Sequence, residues 1–202
     1  MKKQLFIIRH GETDLNKLGV VQGRGVDPPL NEIGRKQASL FFDRYRNENF
    51  DIIYVSSLKR SIETVNPFIQ LGIPFEKHSD LDEISWGVFE GQKMTSEFKN
   101  LYNSLLLKWK EGKFYEHAEN GESPIQVQIR QLNFINYMVN QPPEKALVCI
   151  HGRAMRMFLS TLLGESLNRM DEFPHQNLSL YKLNYDEGRF TIDLFNNTDH
   201  LH

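Results

Sequence analysis

Paired cysteines, long apolar runs and an excess of either charge are all missing from this chain of 202 residues. A single cysteine, Cys149, excludes an internal disulfide framework and fits a reducing cytoplasm. No apolar run approaches the ~20 residues that cross a bilayer, so no membrane partner is expected. A secretion signal is excluded as well: Leu5–Ile8 after Met1-Lys2-Lys3 is too short an apolar core, and Arg9 breaks it. The formal charge of −2 leaves no basic stripe for nucleic acid. Carboxylates and histidines at metal-ligand spacing are absent, so no metal and no other cofactor is expected. Gly23-Arg24-Gly25 lacks the third glycine of a dinucleotide fingerprint, Pro28 standing in its place. Repeats, low-complexity tracts and linkers are absent too. No apolar stripe announces an oligomer, and the oligomeric state stays open.

What remains is a length and composition suited to one globular domain over residues 1–202. Short apolar runs alternate with amphipathic stretches. Leu5–Ile8, Asp51–Val55 and Ala146–Ile150 read as buried strands, with Phe75–Lys77 as a short addition. Ser179–Leu183 and Phe190–Leu194 read as a hairpin through Tyr185–Gly188. Helices are expected from Asn31 to about Asn47, from about Leu58 to a bend or stop near Pro67, over Thr95–Lys110, over Ser123–Asn140, and over Arg153–Leu163. Ser123, Pro124 and Gln126 form a capping-box start. On the helix they open, Ile125, Ile129, Leu132 and Val139 recur at helical spacing and predict the buried face. The alternation predicts an α/β fold: a three-layer αβα sandwich with a mainly parallel central sheet and helices on both faces.

Three of the strands end in polar residues with chemical potential. The first delivers Arg9, His10 and Gly11, the second Ser56-Ser57 with Arg60 just beyond, and the third His151-Gly152. In a parallel sheet these ends share one edge, where open α/β sheets bind ligands. Two histidines and two arginines gathered there make a compact cationic pocket with tunable protonation, a phosphate site in chemical terms. Cys149, flanked by apolar residues, reads as a buried hydrophobe, and position 155, where a tyrosine-phosphatase loop carries arginine, is Met. His78, His117 and His175 read as bystanders, the last two in loops that border a pocket at most, and His200 and His202 as frayed tail residues.

Five segments, in order, resemble the histidine phosphatase superfamily in its phosphoglycerate mutase-like branch. They are Arg9–Thr13 with Asn16; Gln22-Gly23 followed by Asp27–Asn31 and Gly34–Ala38; Ser56–Thr64; Leu81–Gly91; and His151-Gly152. The resemblance implies that His10 attacks phosphorus to give a phosphohistidine. It implies further that Arg9, Arg60 and His151 hold the transferred phosphoryl group, and that Glu83 is the general acid and then base. Asn16 and Gln22 would be neutral donors at the rim, Gly11 would allow close backbone approach, and Gly23 and Gly152 would join them in binding substrate.

The chain departs from the mutases of that branch. Ile84 rather than arginine follows Glu83, and no Arg-Arg pair lies between Leu81 and Ile150 to grip a substrate carboxylate. Water is therefore the expected acceptor, and a small phosphorylated metabolite the expected substrate. The candidates that the resemblance brings are α-ribazole phosphate, a sugar phosphate or a generic monoester. A mutase and a non-catalytic phosphate- or phosphoprotein-binding module are the alternatives. A helical roof over about 88–122 is expected to cover the pocket. Its aromatics (Phe98, Tyr102, Trp109, Phe114, Tyr115) would suit an apolar substrate body, Phe114 and Tyr115 more than Phe98 and Tyr102.

Overall fold

The apolar runs form the middle of a six-stranded sheet, seen in a computed structural model that describes residues 2–93 and 95–202. Four strands run parallel: β1 (Lys3–Arg9), β2 (Ile52–Ser56), β3 (Phe75–His78) and β4 (Lys145–Ile150). A hairpin of β5 (Leu180–Asp186) and β6 (Arg189–Asn197) extends the sheet beside β1, with β5 antiparallel to it. The spatial order is β3-β2-β4-β1-β5-β6. Glu187 and Gly188 make the hairpin turn with φ of 48° and 84°, the left-handed pair that matches strand twist. The register sets Ile8 and Val55 both opposite Cys149, which brings the C-terminal ends of β1, β2 and β4 level.

Both faces of the central strands are covered, which is why their residues are continuously apolar. Leu5, Ile7, Tyr54, Val148 and Ile150 pack against α5 (Pro124–Val139) and α6 (Gly152–Leu162) through Phe134, Met138, Met155 and Phe158. On the other face Phe6, Ile8, Ile53, Val55 and Cys149 meet Phe41 and Tyr45 of α2 (Glu32–Tyr45) and Val65 and Phe68 of α3 (Lys59–Gln70). One short helix, α1 (Asp14–Lys17), lies in the loop after β1, and α4 (Ser96–Lys110) precedes α5. The result is the three-layer αβα arrangement.

Local chemistry sets the helix ends. Asn31 accepts from the Gly34 amide at 2.8 Å to open α2, and Ser123 and Gln126 close a reciprocal box at the start of α5. For α3 the cap comes from a distant loop, Asp27 accepting from the Lys59 amide at 2.9 Å. That helix does not stop at Pro67 but runs on to Gln70. Phe68, fully buried against Phe41, Phe42 and Phe50, holds the final turn in place despite the lost amide.

Two expectations fail here. The buried face of α5 is Val127, Gln131, Phe134, Ile135 and Met138, whereas Ile129 and Leu132 are 56% and 41% exposed. Both sets recur at helical spacing, and packing against the sheet alone tells them apart. His200 is not frayed: it is buried against Phe41 and Tyr45, with Nε2 at 2.9 Å from the Leu178 carbonyl. Among the described residues no helix is long and apolar enough to cross a membrane.

The face assignment predicts contrasting mutants. Phe134→Ala should lower stability by about 3–5 kcal/mol, while Leu132→Ala, two positions away, should stay within about 0.5 kcal/mol. Urea denaturation midpoints of the two variants check this.

Candidate active site

At the level ends of β1 and β4 a pocket of about 250 Å³ opens, walled by Arg9, His10, Asn16, Gln22, Glu83 and Gly152 together with Arg153, Arg156, His175, Trp86, Tyr102, Val20 and Val21. Six of the residues singled out in the sequence meet in this wall. The other four, Gly11, Gly23, Arg60 and His151, lie behind it.

His10 is buried, and its Nδ1 lies 2.7 Å from the Gly11 carbonyl. A carbonyl only accepts, so Nδ1 carries the proton and Nε2 keeps its lone pair. The ring centroid of His151 is 5.0 Å away. His151 accepts the Nε–H of Arg60 on Nδ1 at 3.2 Å, and its Nε2 lies 2.6 Å from the Ser56 hydroxyl. Burial pushes both imidazoles well below the usual value, and the nearby Arg60 and Arg9 guanidiniums push them further. His175 is pushed down to about 3, by burial first and Arg9 second. Its Nδ1 sits 3.3 Å from Arg9 Nη1.

Arg60 has no exposed surface. The Gly- and Pro-containing loop after β1 provides for it: Nη1 donates to the Val26 carbonyl at 2.8 Å, Nη2 to that of Gly23 at 3.2 Å, and Asp27 stands 3.6 Å away. The Arg9 guanidinium is also desolvated, its pKa pushed down to about 10. Its Nε and Gln22 Nε2 are buried without a partner, two donors of one pocket wall with nothing to donate to.

Glu83 receives three amides: Ile84 at 2.9 Å and Ala154 at 2.8 Å on Oε1, and Arg153 at 3.0 Å on Oε2. Two of these are orphan N–H groups of the first turn of α6, so this carboxylate caps the helix that His151 begins without a side-chain cap. Its backbone is held by Arg130, which donates to the Glu83 and Asp80 carbonyls and pairs with Glu122 at 3.1 Å. Next to it Asp82 binds Ser56 and Ser57 at the end of β2, each at 2.8 Å.

The glycines serve packing. A Cβ on Gly11 would lie 2.7 Å from the Gly34 carbonyl oxygen, one on Gly23 1.9 Å from Glu90 Oε1, and one on Gly152 2.8 Å from His175 Cε1. Gly11 thus lets α2 approach, and Gly152 admits the His175 ring.

Sequence reasoning missed Arg153 and Arg156, and it took His175 for a bystander in a loop bordering a pocket, whereas its ring lines the wall. The first two stand one helical turn apart directly after His151-Gly152, a spacing that puts both on one face, and this was the available signal. The pocket therefore has a cationic grip after all, supplied by α6 rather than by a pair between residues 81 and 150. The aromatics also sort differently. Of the described residues between 88 and 122, Tyr102 alone lines the pocket, with position 94 of that range outside the described residues. Trp109 stacks on Trp86 at 5.5 Å, Phe114 packs at the edge of that apolar cluster, and Tyr115 is 80% exposed. An apolar substrate body loses its main support. Cys149 is fully buried, its thiol pushed up to about 12 by desolvation, and stands as a hydrophobe.

Among the described residues no cluster of carboxylates, histidines and thiols is arranged to hold a metal. A neutral histidine with a free lone pair, ringed by guanidiniums, is a phosphoryl-accepting site by chemistry. The comparisons agree. Residues 5–198 match the model of the histidine phosphatase superfamily, branch 1, and the chain belongs to that family. Phosphoserine phosphatase 1 of Hydrogenobacter thermophilus is 30% identical over 200 residues, 98% of this chain and 94% of its own. A probable phosphoglycerate mutase of Yersinia pestis is 30% identical over 92% of this chain and 86% of its own. A phosphoserine phosphatase of Entamoeba histolytica, solved with 3-phosphoglyceric acid, superposes with a TM-score of 0.84 at 26% identity, covering 99% of this chain and 100% of that one. The protein is accordingly a phosphomonoesterase of the histidine phosphatase type.

The depressed imidazoles fix the sign of a pH effect. In the unfolded chain they protonate near the ordinary value of 6.5, in the fold only well below it. The unfolded state then binds more protons as pH falls, so the contribution is complete above about pH 6.5 and is lost on going down through the folded values. Urea midpoints should hold between about pH 8 and 7 and drop between about pH 6.5 and 5. His10→Asn should make that drop shallower, and a midpoint flat across the lower window would contradict the burial argument.

Proposed function

We propose that residues 1–202 act as one catalytic unit, a metal-independent phosphomonoester hydrolase that works through a phosphohistidine on His10. The observation that carries this reading is the 2.7 Å bond from His10 Nδ1–H to the Gly11 carbonyl, which leaves Nε2 as an unprotonated nucleophile on the pocket wall. The Nε2 lone pair forms the N–P bond as the ester P–O bond breaks. Arg9 and Gln22, with their unpartnered buried nitrogens, take up the charge on the phosphoryl oxygens, and Arg60 adds positive potential from beneath, oriented by its Nε–H bond to the neutral His151 ring.

Glu83, having taken up a proton from solvent before the ester reacts, gives it to the departing alkoxide, then removes one from the water that attacks phosphorus and breaks the N–P bond. Asn16, whose Oδ1 accepts from the Thr13 amide at 3.1 Å, offers its NH₂ at the rim. The curated relative of near-full coverage that is named a phosphatase favours water over a second substrate hydroxyl as acceptor. A lone, buried cysteine supports a cytoplasmic, reducing location.

Glu83→Gln should lower kcat about 10²- to 10⁴-fold on an alkyl ester such as β-glycerol phosphate. The loss should be smaller on p-nitrophenyl phosphate, whose leaving group departs without a proton. Equal losses on both would remove Glu83 as the acid. Activity should survive EDTA. Phosphorus NMR on 3-phosphoglycerate should show phosphate released faster than 2-phosphoglycerate appears; the reverse order would make the protein a mutase, and no turnover of any ester a binding module.

A further inference from the structure

Beside the phosphoryl cradle the same pocket holds a second cationic group that hydrolysis does not use. Arg153 and Arg156, one turn apart on α6, both donate to a single oxygen, Oδ1 of Asp171, Arg153 at 2.7 Å. Both residues line the pocket. One carboxylate cannot neutralise two of them, and the shortfall is visible in the geometry. Arg156 Nε is buried with no partner among the described residues, and burial together with the neighbouring Arg153 lowers the Arg156 pKa. Tyr102 closes the wall beside Arg153, and its phenol is also desolvated. Asp171 lies on the short turn Leu167–Glu172 and is half in solvent, 47% exposed at its side chain. It stands outside the pocket wall that the two arginines line, so a carboxylate arriving in the pocket with substrate competes with it for the same donors.

We propose that Arg153 and Arg156 form a second anion subsite that selects phosphomonoesters carrying a carboxylate, with Asp171 as the internal counter-ion that the substrate carboxylate replaces. This rests on the hydrolase reading and adds the substrate class to it. The space agrees with a short body. About 250 Å³ lies below the ~300–1,000 Å³ of pockets that take drug-sized ligands, and Arg9 and Arg156 line the same small wall. A three-carbon acid esterified at its far end reaches both groups, whereas a long or bulky apolar body does not fit between them. Asp171 also has a use in the free enzyme. It holds the two arginines in position and screens their mutual repulsion until the substrate arrives.

The test compares two esters that differ only in this group, 3-phosphoglycerate and sn-glycerol 3-phosphate, by initial phosphate release. The wild type should prefer the acid about 10- to 100-fold in kcat/KM, the range of a charge-assisted hydrogen bond, chiefly through KM. Arg156→Met should collapse that preference towards unity and Arg156→Lys should restore part of it. Asp171→Asn should raise the preference, because it frees both guanidiniums, whereas a merely structural role for the cluster would lower activity on both esters alike. Equal use of the two esters by a wild type that still turns over p-nitrophenyl phosphate overturns the subsite and leaves the hydrolase reading standing. An unchanged preference in Arg156→Met, or a fall in Asp171→Asn, overturns it as well. Failure to hydrolyse any ester removes both proposals together.

Discussion

Everything in this molecule turns on keeping one imidazole uncharged among buried guanidiniums. His10 is dry, faces Arg9 and Arg60, and gives its only proton to a backbone carbonyl of its own loop. Burial and the two guanidiniums disfavour the imidazolium and outweigh the carbonyl, which favours it but fixes the one proton on Nδ1; together they leave a lone pair that needs no external base. The same guanidiniums that suppress protonation are those that attract a phosphate dianion, so nucleophile activation and substrate capture share one source of field.

Burying positive charge is costly, and the fold offsets it locally. Arg60 is met by two loop carbonyls and by Asp27, which also caps α3. Asp82 ties the end of β2 to the segment that carries Glu83, Arg130 and Glu122 brace that segment, and Glu83 itself closes the first turn of α6. The loop after β1 and the segment at 79–90 therefore have little regular structure yet carry much of the polar satisfaction in the core. Breaking one partner of such a network leaves the other charged and dry, a larger loss than the pair itself contributes.

The parts of this arrangement written as local pattern were legible in the sequence. Apolar runs halted by Arg9-His10, by Ser56-Ser57 and by His151-Gly152 announced the sheet and the edge it presents, and Asn31 and Ser123 announced their helices. What escaped was set by tertiary packing. Ile129 and Leu132 recur at helical spacing as well as Phe134 and Met138 do, and the two faces are told apart only by which one meets the sheet. His175 comes from a loop far along the chain and reaches the pocket because Gly152 has no side chain to exclude it. Phe114 and Tyr115 lie away from the pocket, while Tyr102 packs against Trp86 in its wall. Arg153 and Arg156 were readable in principle, since their spacing follows directly from the helix they begin.

Chemical quench of the wild-type enzyme during turnover of a ³²P-labelled ester reports the central claim most directly. The account predicts a label on the protein that is stable to base, lost in acid, and carried by the peptide containing His10. Label on any other residue, or turnover with no protein-bound phosphoryl group at any quench time, would contradict it.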